Sequence, residues 1–257
     1  MPQRVFASWI AWICLLALGC GLRVPSAELV STPELRIVRL TVASANVYVV
    51  EQGDARLMID AGNPGDEAAY EQAMRDHGID PASLDAILLT HGHSDHAGTA
   101  AHFRDTYGVR VIAGAGDVPL VDSGGRDSEI CSTSLLARLI RWSRSGIHYP
   151  PFPVDEPLEG GLDLATLGMD GAVLPAPGHT PGSVVAVIGE HAFVGDLIRG
   201  GLLSRGTPQT HFFMCDLAEN RTRIRELLAR DGVRHWHPGH FGPLEVDAVR
   251  EYLAGEE

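Results

Sequence analysis

Thr90-His91-Gly92-His93-Ser94-Asp95-His96-Ala97-Gly98 sets three imidazoles and one carboxylate within six residues. It follows Ala86-Ile87-Leu88-Leu89, a short apolar run that reads as a buried strand delivering the motif. Neutral imidazole and carboxylate are the donors that a zinc-like ion prefers. Alternate residues of an extended loop point the same way, so His91 and His93 share a direction while Asp95 and His96 turn toward a neighbouring position. One loop of this composition can serve two adjacent metal ions.

Working outward, the same pattern of an apolar strand ending in a polar residue recurs. Residues 35–42, 46–51 and 56–59 are rich in β-branched side chains, with Gln52-Gly53-Asp54-Ala55 as a turn, and read as a meander. It ends at Asp60-Ala61-Gly62, where Asp60 reads either as a turn residue or as a group that orients a ligand by hydrogen bonding. Residues 66–77 form an amphipathic helix closed by Gly78, residues 98–107 a second helix, and residues 110–112 another strand. This alternation is the signature of an α/β layered architecture.

Downstream, the strand 172–175 enters a loop stiffened by Pro175, Pro177 and Pro181 with His179 at its tip, a backbone fixed in the way a metal ligand requires. Residues 183–188 and 191–194 read as hairpin strands, the second running into Gly195-Asp196. Asp196 is thereby placed to bridge two metal ions, one oxygen to each. The strand 234–237 opens on Pro238-Gly239-His240-Phe241-Gly242-Pro243, which holds His240 as His179 is held. His235 and His237 flank Trp236 and read as strand packing, residues 217–230 as a helix with a solvated face, and residues 244–253 as a closing helix.

Residues 115–162 break the rhythm with Gly, Pro, Asp and Ser, one helical block at 132–144, and the aromatic group Trp142, His148, Tyr149 and Phe152. An insert of that length reads as a lid over the site, with His148 and Tyr149 as candidate substrate contacts.

The formal charge of −13 over 257 residues disfavours nucleic acid and anionic membrane as partners, leaving a small-molecule substrate. Residues 5–22 carry no charge and follow Arg4, so residues 1–26 read as an export leader and residues 27–257 as a single domain. Three endings stay open. Ala17-Leu18-Gly19-Cys20 resembles a lipobox, Val24-Pro25-Ser26-Ala27 offers ordinary cleavage, and the apolar run is just long enough to remain as an anchor. The expected location is periplasmic or secreted, with membrane contact only through a lipid or leader anchor. Cys14 and Cys20 fall in the leader; Cys131 and Cys215 are left either as one disulfide or as two buried thiols.

Asp60-Ala61-Gly62, the loop from Thr90 to Gly98, Pro177-Gly178-His179-Thr180, Gly195-Asp196 and Pro238-Gly239-His240, taken in this order, resemble the metallo-β-lactamase superfamily. The resemblance implies an α/β fold of the four-layer αββα sandwich type, with the site at one edge of two sheets. It implies one metal held by His91, His93 and His179, a second held by Asp95, His96 and His240, and Asp196 bridging two zinc or similar divalent ions. Two such ions lower the pKa of a shared water toward ~7. The expected activity is hydrolysis of an ester, thioester, lactone or amide by the bridging hydroxide, with Asp95 orienting it. Asp196 resembles the bridging carboxylate of the thioesterase, lactonase and phosphodiesterase branches, which the β-lactamases generally lack; a β-lactamase stands as an alternative. Only 17 residues follow His240, which weighs against glutathione thioesters. The rival from another reaction class is a persulfide dioxygenase with a single iron, against which six terminal donors count.

Overall fold

The structure is a computed structural model that describes residues 25–125, 131 and 147–256. The chain runs through β1 (Ala27–Ser31), β2 (Arg36–Leu40), β3 (Val47–Gln52), β4 (Ala55–Ile59), α1 (Glu67–Asp76), β5 (Ala86–Leu89), α2 (Ser94–Ala97), α3 (Ala100–Tyr107), β6 (Arg110–Gly114) and α4 (Val118–Asp122). It continues through β7 (Glu156–Leu158), β8 (Leu162–Asp163), β9 (Gly171–Pro175), β10 (Val184–Ile188), β11 (His191–Gly195), β12 (Arg199–Gly200), β13 (Pro208–Gln209), α5 (Leu217–Leu228), β14 (His235–Pro238), β15 (Leu244–Glu245) and α6 (Val246–Gly255).

Strict alternation along each strand decides the layering, because successive side chains leave opposite faces of a sheet. From the first sheet, ordered β1 to β7, Ile37, Val50, Leu57, Ile59, Leu88 and Ile112 point inward. They pack against Val173, Val184, Ala186, Ile188 and Phe193 of the second sheet, ordered β15-β14-β11-β10-β9-β8. Their neighbours Val38, Val49, Met58, Ile87 and Val111 point outward and meet Tyr70 and Met74 of α1 and Phe103 of α3. On the far side Val185, Val187, Val194 and Trp236 meet Ile224 and Leu227 of α5 and Val249 and Leu253 of α6. The order helix, sheet, sheet, helix is the expected αββα sandwich.

Strand direction gathers the site. The segment β4, β5 and β6 is parallel. In the second sheet β9 and β11 are each antiparallel to β10, and β11 is parallel to β14, so β9, β11 and β14 share a direction. Their carboxyl ends, where Asp60, His91, His179, Asp196 and His240 follow, lie along one edge of the sandwich. Cross-sheet hydrogen bonds hold that edge together: Val184 N donates to Thr90 O (2.8 Å), and Asn46 Nδ2 and Tyr48 Oη both donate to Pro238 O (2.9 and 2.8 Å).

Several local expectations are revised. The second half of the histidine motif is not extended: Ser94–Ala97 closes a helical turn with His93 as its cap, so Asp95 and His96 leave from a helix rather than from alternating extended positions. The closing helix starts at Val246, with Leu244–Glu245 spent on β15. Both ends of the 115–162 insert belong to the body, since β7 is the edge strand of the first sheet and Tyr149 and Phe152 join the core beneath it. The expected helix at 132–144, Trp142, Cys14, Cys20 and residues 1–24 of the expected leader lie outside the described residues. Among the described residues no helix is long and apolar enough to cross a membrane.

Candidate metal centre

Four of the expected donors, His91, His96, His179 and His240, gather around a fifth, Asp196; His93 joins them through His91 and His179, and Asp95 through His96 and His240. His91, His93 and His179 form one group, His91, His96 and Asp196 a second, and Asp95, His96 and His240 a third, the donor atoms of each lying within 4.8 Å of one another. Asp196 was expected to give one oxygen to each ion, but a single oxygen does the facing. Its Oδ2 lies 3.8 Å from His91 Nε2, 3.5 Å from His96 Nε2, 3.6 Å from His179 Nε2 and 3.5 Å from His240 Nε2. Oδ1 has no hydrogen-bond partner among the described residues.

Just before Asp196, Gly195 turns the chain at φ +49°, where a Cβ would lie 2.4 Å from Thr90 Oγ1. Only a residue without a side chain lets β11 end this close to β5.

Hydrogen bonds on the far side of each ring set what it presents to the centre. His179 Nδ1 lies 2.7 Å from Phe213 O and His240 Nδ1 3.0 Å from Ser44 O, both pure acceptors, so each Nδ1 carries the proton. His91 Nδ1 donates to Thr90 Oγ1 (3.1 Å), whose own hydrogen goes to Asp60. Nε2 of His179 and of His91 then face one another as lone pairs 3.2 Å apart, with His93 Nδ1 3.1 Å from the former. Buried lone pairs aimed at one point with no donor between them are an arrangement that a cation satisfies. The donor set of imidazole and carboxylate is one that zinc, iron or a similar divalent ion takes.

Charge is arranged to match. Burial drives His91 well below the ordinary imidazole range and brings His93 to about 4 and His179 to about 3. These three rings are neutral at pH 7 and ready to ligate. At His96 burial opposes a charge, but Asp196 and Asp60 outweigh it and raise the pKa well above the ordinary value. At His240 Asp196 and Asp95 do the same. Without an ion these two rings hold protons, which an ion would displace. Asp196 stays ionised, for His211, His240 and His96 together overcome its burial.

Asp60 stands where an orienting group was expected. At φ +61° its Oδ2 accepts from His96 Nδ1 (2.8 Å), and its Oδ1 accepts from Thr90 N (2.7 Å). Two further groups carry no sequence signature. Asp117, 1% exposed, accepts from Gly92 N, Thr180 Oγ1 and Gly182 N, each at 2.8 Å, and so ties the His91–His93 loop to the His179 loop. His211 sets its Nε2 3.2 Å from Asp196 Oδ2 and joins His179 and Asp196 as a fourth donor group. A lone acid in a Gly-rich insert and a lone histidine before two phenylalanines have no spacing to betray them.

The family model described as the metallo-β-lactamase superfamily matches residues 40–236. The chain belongs to the metallo-β-lactamase superfamily. Beta-lactamase-like protein 2 homolog of Drosophila melanogaster is 28% identical over 90% of this chain and 72% of its own length. Hydroxyacylglutathione hydrolase of Shewanella loihica is 29% identical over 68% of this chain, which spans only 53% of that protein. Among solved structures, TTHA1623 in a di-iron-bound form shares 29% identity and a TM-score of 0.59, with coverage of 88% of this chain and 96% of that one. The subclass B3 metallo-β-lactamase BJP-1 of Bradyrhizobium japonicum, at 15% identity, TM-score 0.61 and 93% coverage of both chains, shares the fold. By family the protein is a metallo-hydrolase.

Of the two expected substrate contacts, Tyr149 is buried and serves the histidine loop instead. Tyr149 is 1% exposed, and its hydroxyl donates to Gly92 O (2.8 Å). It supports the histidine loop from behind, and burial lifts its pKa far above the ordinary phenol value. His148 is exposed and belongs to none of the donor groups. Cys131 and Cys215 are joined as a disulfide.

Proposed function

We propose that the protein is a dinuclear metal-dependent hydrolase of ester-like carbonyls, a class comprising esters, thioesters, lactones and amides. The observation that carries this reading is the gathering of His91, His96, His179 and His240 around Asp196 Oδ2, with His93 grouped with His91 and His179 and Asp95 with His96 and His240, so that two sets of donors meet at one carboxylate oxygen. Bound there, two divalent ions would supply Lewis acidity and a water ionised near neutral pH. The protein's own groups do the remainder. His91, His93 and His179 hold one side, Asp95, His96 and His240 the other, and Asp60 keeps His96 in the required orientation. Asp95, whose side chain is 14% exposed at the rim with Oδ2 3.6 Å from His240 Nε2, orients the water and carries its proton toward the leaving group.

Export to an oxidising compartment belongs to the same proposal, supported by the Cys131–Cys215 disulfide, a bond that persists outside the reducing cytosol. The test is metal analysis of the purified protein beside a panel of p-nitrophenyl acetate, a γ-lactone and a glutathione thioester. Close to two ions per chain and turnover of one panel member are expected, and both are lost in His93→Ala and Asp196→Ala. One iron per chain with oxygen uptake on a persulfide would overturn the reading in favour of a dioxygenase.

A further inference from the structure

β12 and β13 pair as a short hairpin, Arg199 opposite Gln209 and Gly200 opposite Pro208, and its tip carries Leu202, 38% exposed, and Leu203, 99% exposed. Among the described residues the one other large apolar side chain left to solvent is Ile147. The turn beneath the leucines is built from polar bonds: Thr207 N and Thr207 Oγ1 donate to Ser204 O and Ser204 Oγ, each at 2.9 Å. A Cβ on Gly201 would stand 2.7 Å from Ser204 O. A closed turn thus holds two adjacent leucines away from the body. Charge changes at the same place, for residues 197–215 contain Arg199 and Arg205 and no acid, in a chain with 33 acidic residues.

The hairpin stands beside the point where the chain enters the domain. Arg39 Nη2 donates to Pro25 O (3.2 Å), and Thr41 N donates to Ser26 Oγ (3.0 Å). From there contacts lead to the hairpin. Thr41 Oγ1 donates to Asn46 Oδ1 (3.3 Å), Asn46 Nδ2 donates to Phe241 O (2.7 Å), and a Cβ on Gly200 would stand 2.9 Å from Phe241 Cβ and 2.3 Å from Arg205 O. Burial lowers the Arg39 pKa, Tyr48 raises it and Arg205 lowers it, so the Arg205 charge is felt at Arg39. Ahead of Pro25 lie residues 5–22, without a charge. Anchored through that stretch or through a lipid on Cys20, the chain leaves the bilayer only three residues (from Leu22) or five (from Cys20) before Pro25. An extended chain covers at most about 3.6 Å per residue, which keeps Pro25 within about 10–18 Å of the headgroups.

We propose that the Leu202–Leu203 tip is a membrane-docking element: with the chain held at the bilayer by its N-terminal anchor, both leucines enter the interface of an uncharged phospholipid leaflet and Arg205 meets its phosphates. The overall negative charge selects against an anionic leaflet but not against a neutral one, and an arginine beside apolar residues suits the headgroup level. Two leucines alone hold a bilayer weakly; the anchor makes their contact intramolecular and so lets it form. Gly200 N donates to His240 O (3.0 Å), so the docked face is the one beside the metal centre. The inference rests on the export reading for its anchor and is independent of the hydrolytic chemistry.

The full chain, produced with its own residues 1–26, is reconstituted into phosphatidylcholine vesicles as wild type, as Leu203→Trp, and as Leu202→Ser combined with Leu203→Ser. The fluorescence of Leu203→Trp, read as the difference from wild type, should shift to the blue on reconstitution and be quenched by phosphatidylcholine brominated in its acyl chains. Emission that stays unshifted and unquenched would overturn the proposal. Tryptic cleavage after Arg205 in vesicles should be at least about tenfold slower in wild type than in the double serine variant, since burying even one leucine is worth about that factor; equal rates would overturn it as well. A dimer of the detergent-solubilised chain that the double serine variant abolishes in sedimentation would give the tip to a second copy instead of a bilayer. A chain recovered from the export compartment without residues 1–26 and free of membrane sinks the anchor and this proposal, with export left standing. Metal content and p-nitrophenyl acetate turnover should be equal in the three proteins, and a wild type that hydrolyses nothing would sink the hydrolase reading while the quenching still decides the docking.

Discussion

Asp117 shows how much of the centre rests on side chains that never face it. Replacing it by Ala strands two backbone N–H groups in a buried place, each costing about 1–3 kcal/mol, and leaves the Thr180 hydroxyl with Ser183 Oγ as its remaining partner. Asp117→Ala is therefore expected to lose on the order of 2–6 kcal/mol in urea unfolding and to bind metal more weakly, because the two histidine loops lose their common anchor. Asp60→Asn should act more narrowly. It keeps the volume but loses the carboxylate that orients His96, and metal affinity measured by competition with a chelator should fall 10–100-fold. An unchanged affinity would reduce Asp60 to the turn residue that its sequence position equally allows.

The strands that deliver the donors were legible because each combines alternating apolar residues with an abrupt polar or Gly/Pro end, and that pattern is local. What joins the ends is not local. Asp117 reaches Gly92 and Gly182 from 25 and 65 residues away, and Tyr149 reaches Gly92 across 57, so no spacing in the chain announced them. The reading of Tyr149 as a substrate contact failed for the same reason: an aromatic residue in a polar insert looks exposed until a core is found beneath it. Tyr149→Phe should cost about 1 kcal/mol of stability and leave KM unchanged, whereas a substrate contact would raise KM. Between α1 and α3, Glu71 accepts from His102 Nε2 and Tyr107 Oη, each at 2.7 Å, and these bonds hold its pKa at about 2 instead of 4.5. A depressed carboxylate stabilises the fold above its ordinary pKa, and that contribution fades as pH falls from about 4.5 through about 2. Melting temperatures of wild type and Glu71→Gln should differ at pH 7 and converge toward pH 2; parallel curves would show that Glu71 does not couple the helices.

Across the molecule, two sheets lend ligands to one edge, so anything that loosens their docking also loosens the metal site. The Cys131–Cys215 disulfide acts at that level. It closes a span of 84 residues that includes β7 to β11, and Cys215 N donates to Gly178 O (2.8 Å), directly before His179. In the chain-entropy picture, closing so long a loop is worth about 4–5 kcal/mol through the unfolded state, and a domain of this size loses roughly 10–15 °C in Tm for that amount. Cys131→Ser with Cys215→Ser should show this loss by calorimetry, and with it a weaker affinity for metal, because the backbone carrying His179 is tethered at the residue that would be cut free. The two effects separate when metal is withdrawn. The entropic loss is independent of the ion and persists in metal-free protein, whereas a weaker site lowers Tm only when metal is present, through the term RT ln(1 + [L]/Kd), so equal Tm values for the two proteins without metal would show that the disulfide serves the His179 loop rather than the fold.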